Sequence, residues 1–227
     1  HFFPTRRSSD LDLPSSSGLS SSASIEVLTC FAMIKLYGIK LGKIKTAKLC
    51  QMAENEFCMV NCGIMDQFAI AMGKRHHAIY LDTATLDYTY VPIKLDGIKL
   101  VITCSNKKRG LGSSKYNERR AECESALEMI KQSKECSHIN SLGDLDCETF
   151  ERNKLYITDE VKMRRARHAV YENQRTIKAV DALNNNEIEK FGQLMIESHI
   201  SLRDDYEVTG AELDALFDAQ VKQKGVI

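Results

Sequence analysis

The chain has 227 residues, enough for one large domain or two small ones with a sizeable core. Hydrophobic residues make up 43% and charged residues 27%, as in ordinary soluble globular proteins, and 31 basic side chains balance 31 acidic ones. A formal charge of zero speaks against a nucleic-acid or anionic-membrane partner, and no uncharged apolar run nears the roughly 20 residues that span a bilayer.

In chain order, residues 1–11 show no apolar period and are expected to be a non-native leader, with the fold starting near Asp12. Residues 16–22 form a Ser- and Gly-rich turn that runs into a helix predicted over 23–37. There Val27, Phe31 and Ile34 recur at helical spacing, and the scarcity of polar positions predicts burial on most sides. Gly38 supplies the stop. A second helix is predicted over 43–57 and a shorter one over 63–72. After Gly73 the period changes to two, which predicts paired strands at 77–82 and 88–93. The run Leu-Val-Ile-Thr-Cys within 99–105 predicts a central strand. Helices follow at 114–133, 158–183, 187–202 and 209–224, broken by turns such as Asn184-Asn-Asn186, with a possible domain boundary at 134–157. The fold class expected is α+β, strands early and helices late.

Eight cysteines stand at 30, 50, 58, 62, 104, 123, 136 and 147 without Cys-x-x-Cys spacing, and Cys58-x-x-x-Cys62 has no nearby His. They are expected to be free thiols of a cytoplasmic protein, Cys30 and Cys104 in a core. The methionines at 33, 52, 59, 65 and 72 read as core filler. Arg164-Arg165-Ala-Arg167-His168 reads as a solvated helix face, His76-His77 as strand-edge surface, and Arg203-Asp204-Asp205 as an ion-paired helix end.

Two features carry chemistry. A small-residue turn before a helix leaves backbone N–H groups free, and with the positive end of the helix dipole they make an anion site. The hydroxyls of Ser20, Ser21 and Ser22 add donors, one of them able to ligate Mg²⁺. No Gly-Lys-Ser/Thr follows, so the loop is not a Walker motif, and by composition alone a linker or N-cap cluster fits as well. Glu54 and Asp66 are the second feature. Asp66 sits among Ile64, Met65, Phe68 and Ala69, where a carboxylate is costly unless a metal, cation or substrate hydroxyl pairs with it, though a lone Asp at a helix N-terminus is more often a cap. Phosphoryl transfer asks for both a metal ligand and a carboxylate at the acceptor hydroxyl.

At this point a resemblance becomes specific. Leu13-Pro-Ser-Ser-Ser-Gly-Leu-Ser-Ser-Ser-Ala-Ser-Ile-Glu26 resembles the second signature of the GHMP kinases in its galactokinase form. Asn61-Cys-Gly-Ile-Met-Asp-Gln-Phe68, Ser114-Lys-Tyr-Asn-Glu-Arg-Arg120 and Ser198-His-Ile-Ser-Leu-Arg-Asp-Asp-Tyr206 are similar to further segments of that family in the same order. The resemblance implies that Ser16, Ser17, Gly18, Leu19, Ser20, Ser21 and Ser22 wrap the ATP phosphates. It makes Ser22 and Glu54 the Mg²⁺ ligands, Asp66 the base or orienting carboxylate at the C1 hydroxyl of galactose, and Tyr116 a sugar contact. The implied reaction gives galactose 1-phosphate and ADP, with no obligatory protein partner evident. The alternatives are an N-acetylgalactosamine kinase, another GHMP member, or a non-catalytic galactose and ATP sensor. The implied fold joins a part like the second domain of ribosomal protein S5, over 12–135, to the helical start of a ferredoxin-like domain, over 136–227.

Two departures qualify this. Ser16 stands where the family has a glycine. The family's N-terminal sugar-recognition signature and C-terminal Gly-rich signature are both missing, so the chain is expected to be an internal segment with little activity alone.

Overall fold

The structure is a computed structural model that describes residues 18–107 and 113–227, with side chains from Asn117 onward in the helix that begins at Ser113. The expected leader, Ser16 and Ser17 lie outside the described residues, as does the side chain of Tyr116. Contacts divide the chain into two compact units, His1–Tyr90 with Leu100–Gly110 and Val91–Lys99 with Leu111–Ile227.

In the first unit, helices α1 (Ser21–Leu36), α2 (Lys43–Met52) and α3 (Met65–Met72) pack against one another. Val27, Ala47, Cys50, Ile64, Phe68, Ala71 and Met72 form the core between them. Helix α1 stops as expected at Gly38, which takes φ 63° while Ile39 N–H donates to the Ile34 carbonyl. Its expected burial on most sides does not occur. Only Ala23 and Val27 are buried, and Leu28, Met33 and Leu36 are exposed, because α2 and α3 lie on one face. Helix α2 ends at Met52, and a single π turn, Ala53–Phe57, continues it.

Strands β1 (His77–Leu81) and β2 (Tyr88–Pro92) pair as a hairpin. Asp82 shapes its loop, its Oδ1 accepting from Ala84 N–H at 2.8 Å and Thr85 N–H at 3.2 Å. The strand expected at 99–105 is absent. Leu100, Val101 and Ile102 are exposed, and no ladder partner lies beside them among the described residues. Cys104 is therefore also exposed rather than in a core, and of the five methionines read as core filler only Met72 is buried.

The second unit holds α4 (Ser113–Ile130), α5 (Cys147–Asn153), α6 (Glu160–Asn184), α7 (Ile188–Asp204) and α8 (Ala211–Gln220). Helix α6 packs on α4, α5 and α7. Residues 134–157 are not a bare linker: Cys136, Ile139, Leu142, Leu145, Phe150 and Ile157 share one core with Ala126, Ile130, Ala166 and Val170. Asp146 and Asp159 cap α5 and α6 through side-chain acceptors. The α6 arginines depart from expectation, since Arg165 is 1% exposed and His168 is buried too. Arg203-Asp204-Asp205 is an ion-paired helix end, as expected, with Arg203 paired to Asp204 and Asp205 to Arg167. Mostly helical with one small sheet, the architecture is α+β.

Candidate active site

In the first unit the elements that carry the serine turn, Glu54 and Asp66 are joined through one buried side chain, Gln67. Gly18 (φ 76°) and Ser20 (φ 53°) both take left-handed backbone conformations, and Ser24 N–H makes the first helical bond to the Ser20 carbonyl at 2.9 Å. The Ser20 side chain makes no capping bond, and no acidic residue occupies the first turn of α1. The N–H groups of Ser21, Ser22 and Ala23 precede that first bond and have no intrahelical acceptor by helix geometry. A dipole end with free donors and no carboxylate of its own attracts an anion.

Glu54 lies in the π turn, a widened turn that often marks a functional site. The segment after it folds back onto it: Cys62 N–H donates to Asn55 Oδ1 at 3.0 Å and Gln51 Nε2 to the Cys62 carbonyl at 3.2 Å. The Cys62 thiol donates to Glu54 Oε2 at 3.2 Å and to Asn55 Oδ1 at 3.3 Å. Burial and the neighbouring Glu54 carboxylate push this thiol up to about 12.

Gln67, one residue after Asp66, is fully buried on the inner face of α3. Its Nε2 donates to Glu54 Oε2 at 2.7 Å and to Glu26 Oε2 at 3.3 Å. One carboxamide thus joins α1, the π turn and α3, the three elements that carry the serine turn, Glu54 and Asp66. Burial pushes the Glu26 carboxyl up; the Gln67 hydrogen bond opposes that shift and the Glu54 charge adds to it. Asp66 itself is exposed in the first turn of α3, so the apolar burial expected from its neighbours is not what surrounds it. A cleft of about 540 Å³ in this unit is lined by Lys48, Gln51, Ile64, Met65 and the 83–86 loop, and none of the expected site residues lines it.

The signal for Glu26 and Gln67 was present in the sequence. Ala23, Glu26, Val27 and Cys30 share one stripe of α1, and Ile64, Gln67, Phe68 and Ala71 one stripe of α3, so each polar residue interrupts a core-facing row. No three His, Cys, Asp or Glu side chains gather as a metal cage among the described residues. A hard cation that keeps its waters and takes one or two protein oxygens beside a phosphate needs no cage. Glu54 held by Gln67, whose own Oε1 is buried without a partner among the described residues, suits such a hydrated ion.

Several known proteins are similar to this chain. Residues 6–74 match the GHMP kinases N terminal domain. Along most of its length its relatives are galactokinases. It is 58% identical over 215 residues to the galactokinase of Clostridium acetobutylicum, covering 95% of this chain and 54% of the relative. It is 56% identical to that of Clostridium beijerinckii, with 95% and 55% covered. The solved structure of Lactococcus lactis galactokinase complexed with galactose superposes with a TM-score of 0.86 at 44% identity, over 94% of this chain and 54% of that one. The chain spans about half the length of the curated relatives it matches. No helix among the described residues is long and apolar enough to cross a membrane.

Proposed function

We propose that this chain carries the nucleotide-binding and acceptor-activating part of an ATP-dependent galactose 1-kinase. The observation that carries the reading is the Gln67 carboxamide, which links the elements bearing the serine turn, Glu54 and Asp66. In the proposed reaction the C1 oxygen of galactose attacks the γ-phosphorus of ATP. The bond to the β–γ bridging oxygen breaks, ADP leaves with that electron pair, and the hydroxyl proton passes toward the Asp66 carboxylate. Residues 16–22 would receive the phosphates at the start of α1, and Tyr116 would contact the sugar. Ser22 and Glu54 would hold Mg²⁺, which when bound offsets charge on the phosphate oxygens. Asp66 either accepts the proton or aligns the hydroxyl, and solvent exposure suits a group that waits for a substrate.

The same proposal assigns 12–135 to the family's N-terminal domain and 136–227 to the start of its C-terminal domain, although the compact units are bounded near residues 90 and 111. A cytoplasmic location accords with eight cysteines that are all free.

The test is galactose-dependent ADP release, measured in a chimera in which residues 12–227 replace the matching segment of the Clostridium acetobutylicum galactokinase. Turnover is expected, and Asp66→Ala should lower kcat by about 10²–10⁴ while ATP binding stays near its original strength. A folded chimera without turnover, or an alanine variant that keeps it, would refute the reading.

A further inference from the structure

We propose that Gln67 is a positioning residue for the metal-bearing carboxylate: its buried amide fixes Glu54 against Glu26, so that one carboxylate orientation is presented to the hydrated cation. The inference rests on the reading of Glu54 as a cation ligand and goes beyond it to the side chain that aims the ligand.

The geometry leaves one arrangement of the amide. Both neighbours are carboxylates, Glu54 Oε2 at 2.7 Å and Glu26 Oε2 at 3.3 Å, and only the NH₂ end of Gln67 donates. Reversing the amide would set its oxygen against two acceptors. Gln67 has no exposed surface, and Ile64 and Phe68 beside it on α3 belong to the buried core. A fixed donor at 2.7 Å, seconded by the Cys62 thiol on the same Oε2, leaves Oε1 of Glu54 as the oxygen not engaged by these two donors. Glu26 steadies the amide from the opposite helix, so its contribution is indirect and smaller. The buried Oε1 of Gln67, unpartnered among the described residues, is an acceptor suited to a water that arrives with the ion. An apolar side chain of the same size would fill the space and keep the packing, but would release Glu54 to several rotamers.

The experiment titrates Mn²⁺ with ATP into the purified 227-residue protein and reads bound metal by electron paramagnetic resonance, with circular-dichroism melts to report folding. Gln67→Met is expected to weaken Mn²⁺ binding about tenfold, the order that follows from one charge-assisted hydrogen bond. Glu26→Ala is expected to weaken it about threefold, and the double variant to match Gln67→Met alone, because both act through one amide. A merely structural role would lower the melting temperature of Gln67→Met and leave its metal affinity unchanged; that result overturns the proposal. Should Gln67→Met not fold, Glu26→Ala decides, and unchanged affinity there overturns it equally. If the unmutated protein binds no Mn²⁺ with ATP, the assignment of Glu54 falls and this inference with it. Metal binding that shifts as expected, without galactose turnover in the chimera, removes the sugar-kinase reading and leaves the role of Gln67 standing.

Discussion

Cys62 shows how a single side chain in this site is set by its neighbours. Its thiol has two acceptors within reach, Glu54 Oε2 and Asn55 Oδ1, and burial beside the carboxylate pushes it up to about 12. Cys50, buried in the same unit, is pushed up to about 11, chiefly by burial. The thiolate is the species that alkylates, so both thiols are nearly inert at neutral pH. Cys58 and Cys104 are exposed. Iodoacetamide at pH 8 is therefore expected to label Cys58 and Cys104 first and to spare Cys62 and Cys50, as mapped by mass spectrometry of the native protein. Equal labelling of Cys58 and Cys62 would show that the Glu54 contact does not hold in solution. Glu54 and Asp66 stood out in the sequence as candidates because carboxylates near apolar runs are conspicuous. Gln67 was legible only as a polar break in a core-facing row; what it and Cys62 hold lies in a contact between elements, and sequence spacing reports only contacts along one.

The same limit operates on whole elements. Three arginines in five residues of α6 read as a solvated face, yet Arg165 is buried and each nitrogen of its guanidinium donates a hydrogen bond. It donates to Glu122 Oε2 of α4 at 2.8 Å, to the Asp205 carbonyl at 2.5 Å and to Glu207 Oε2 at 2.7 Å. Arg119 joins the same cluster through Glu122 and the Tyr206 carbonyl, and Arg167 pairs with Asp205. The carbonyl acceptors all come from the chain just past α7, where the helix has left them without helical partners, so Arg165 and Arg119 tie that end to α4 and α6. Removing the buried cation takes one of two arginine partners from each of Glu122 and Glu207 and leaves the Asp205 carbonyl without this donor. Arg165→Ala is expected to cost about 3–5 kcal/mol in urea unfolding, whereas Arg164→Ala, whose pair with Glu207 is more open to water, should cost no more than about 1 kcal/mol. Equal costs would mean that the cluster is no more than surface pairing. The expected strand at 99–105 failed for the complementary reason. Its β-branched, apolar composition was read correctly, but a strand exists only where a neighbour completes its hydrogen bonds, and no local pattern records that neighbour.

At the scale of the molecule, protons gained on unfolding determine how stability follows pH. Burial lowers the His168 pKa below its ordinary 6.5, and the ring is held neutral against the Ser201 hydroxyl at 2.9 Å, with Ser201 in turn donating to Asp205 at 3.1 Å. As pH falls below 6.5 the unfolded chain takes this proton before the folded one does, so stability declines through that interval. A second decline follows below 4.5. Hydrogen bonds from Arg165 and Arg164 bring Glu207 down to about 2, and although burial pushes Glu122 up, Arg165 and Arg119 outweigh it and leave it below its usual value. Their stabilising contribution is complete above 4.5 and is lost as pH drops toward about 2. Glu26 acts in the opposite sense, because burial raises its pKa and the folded chain binds that proton first; it softens the second decline without reversing two carboxylates. The expected profile of melting temperature against pH therefore has two limbs. His168→Gln, which keeps an N–H for Ser201 and loses the titration, should flatten the limb just below pH 6.5 and leave the limb below 4.5 in place. If the substitution left both limbs unchanged, the upper one would belong to another group and the buried neutral imidazole would not be its source.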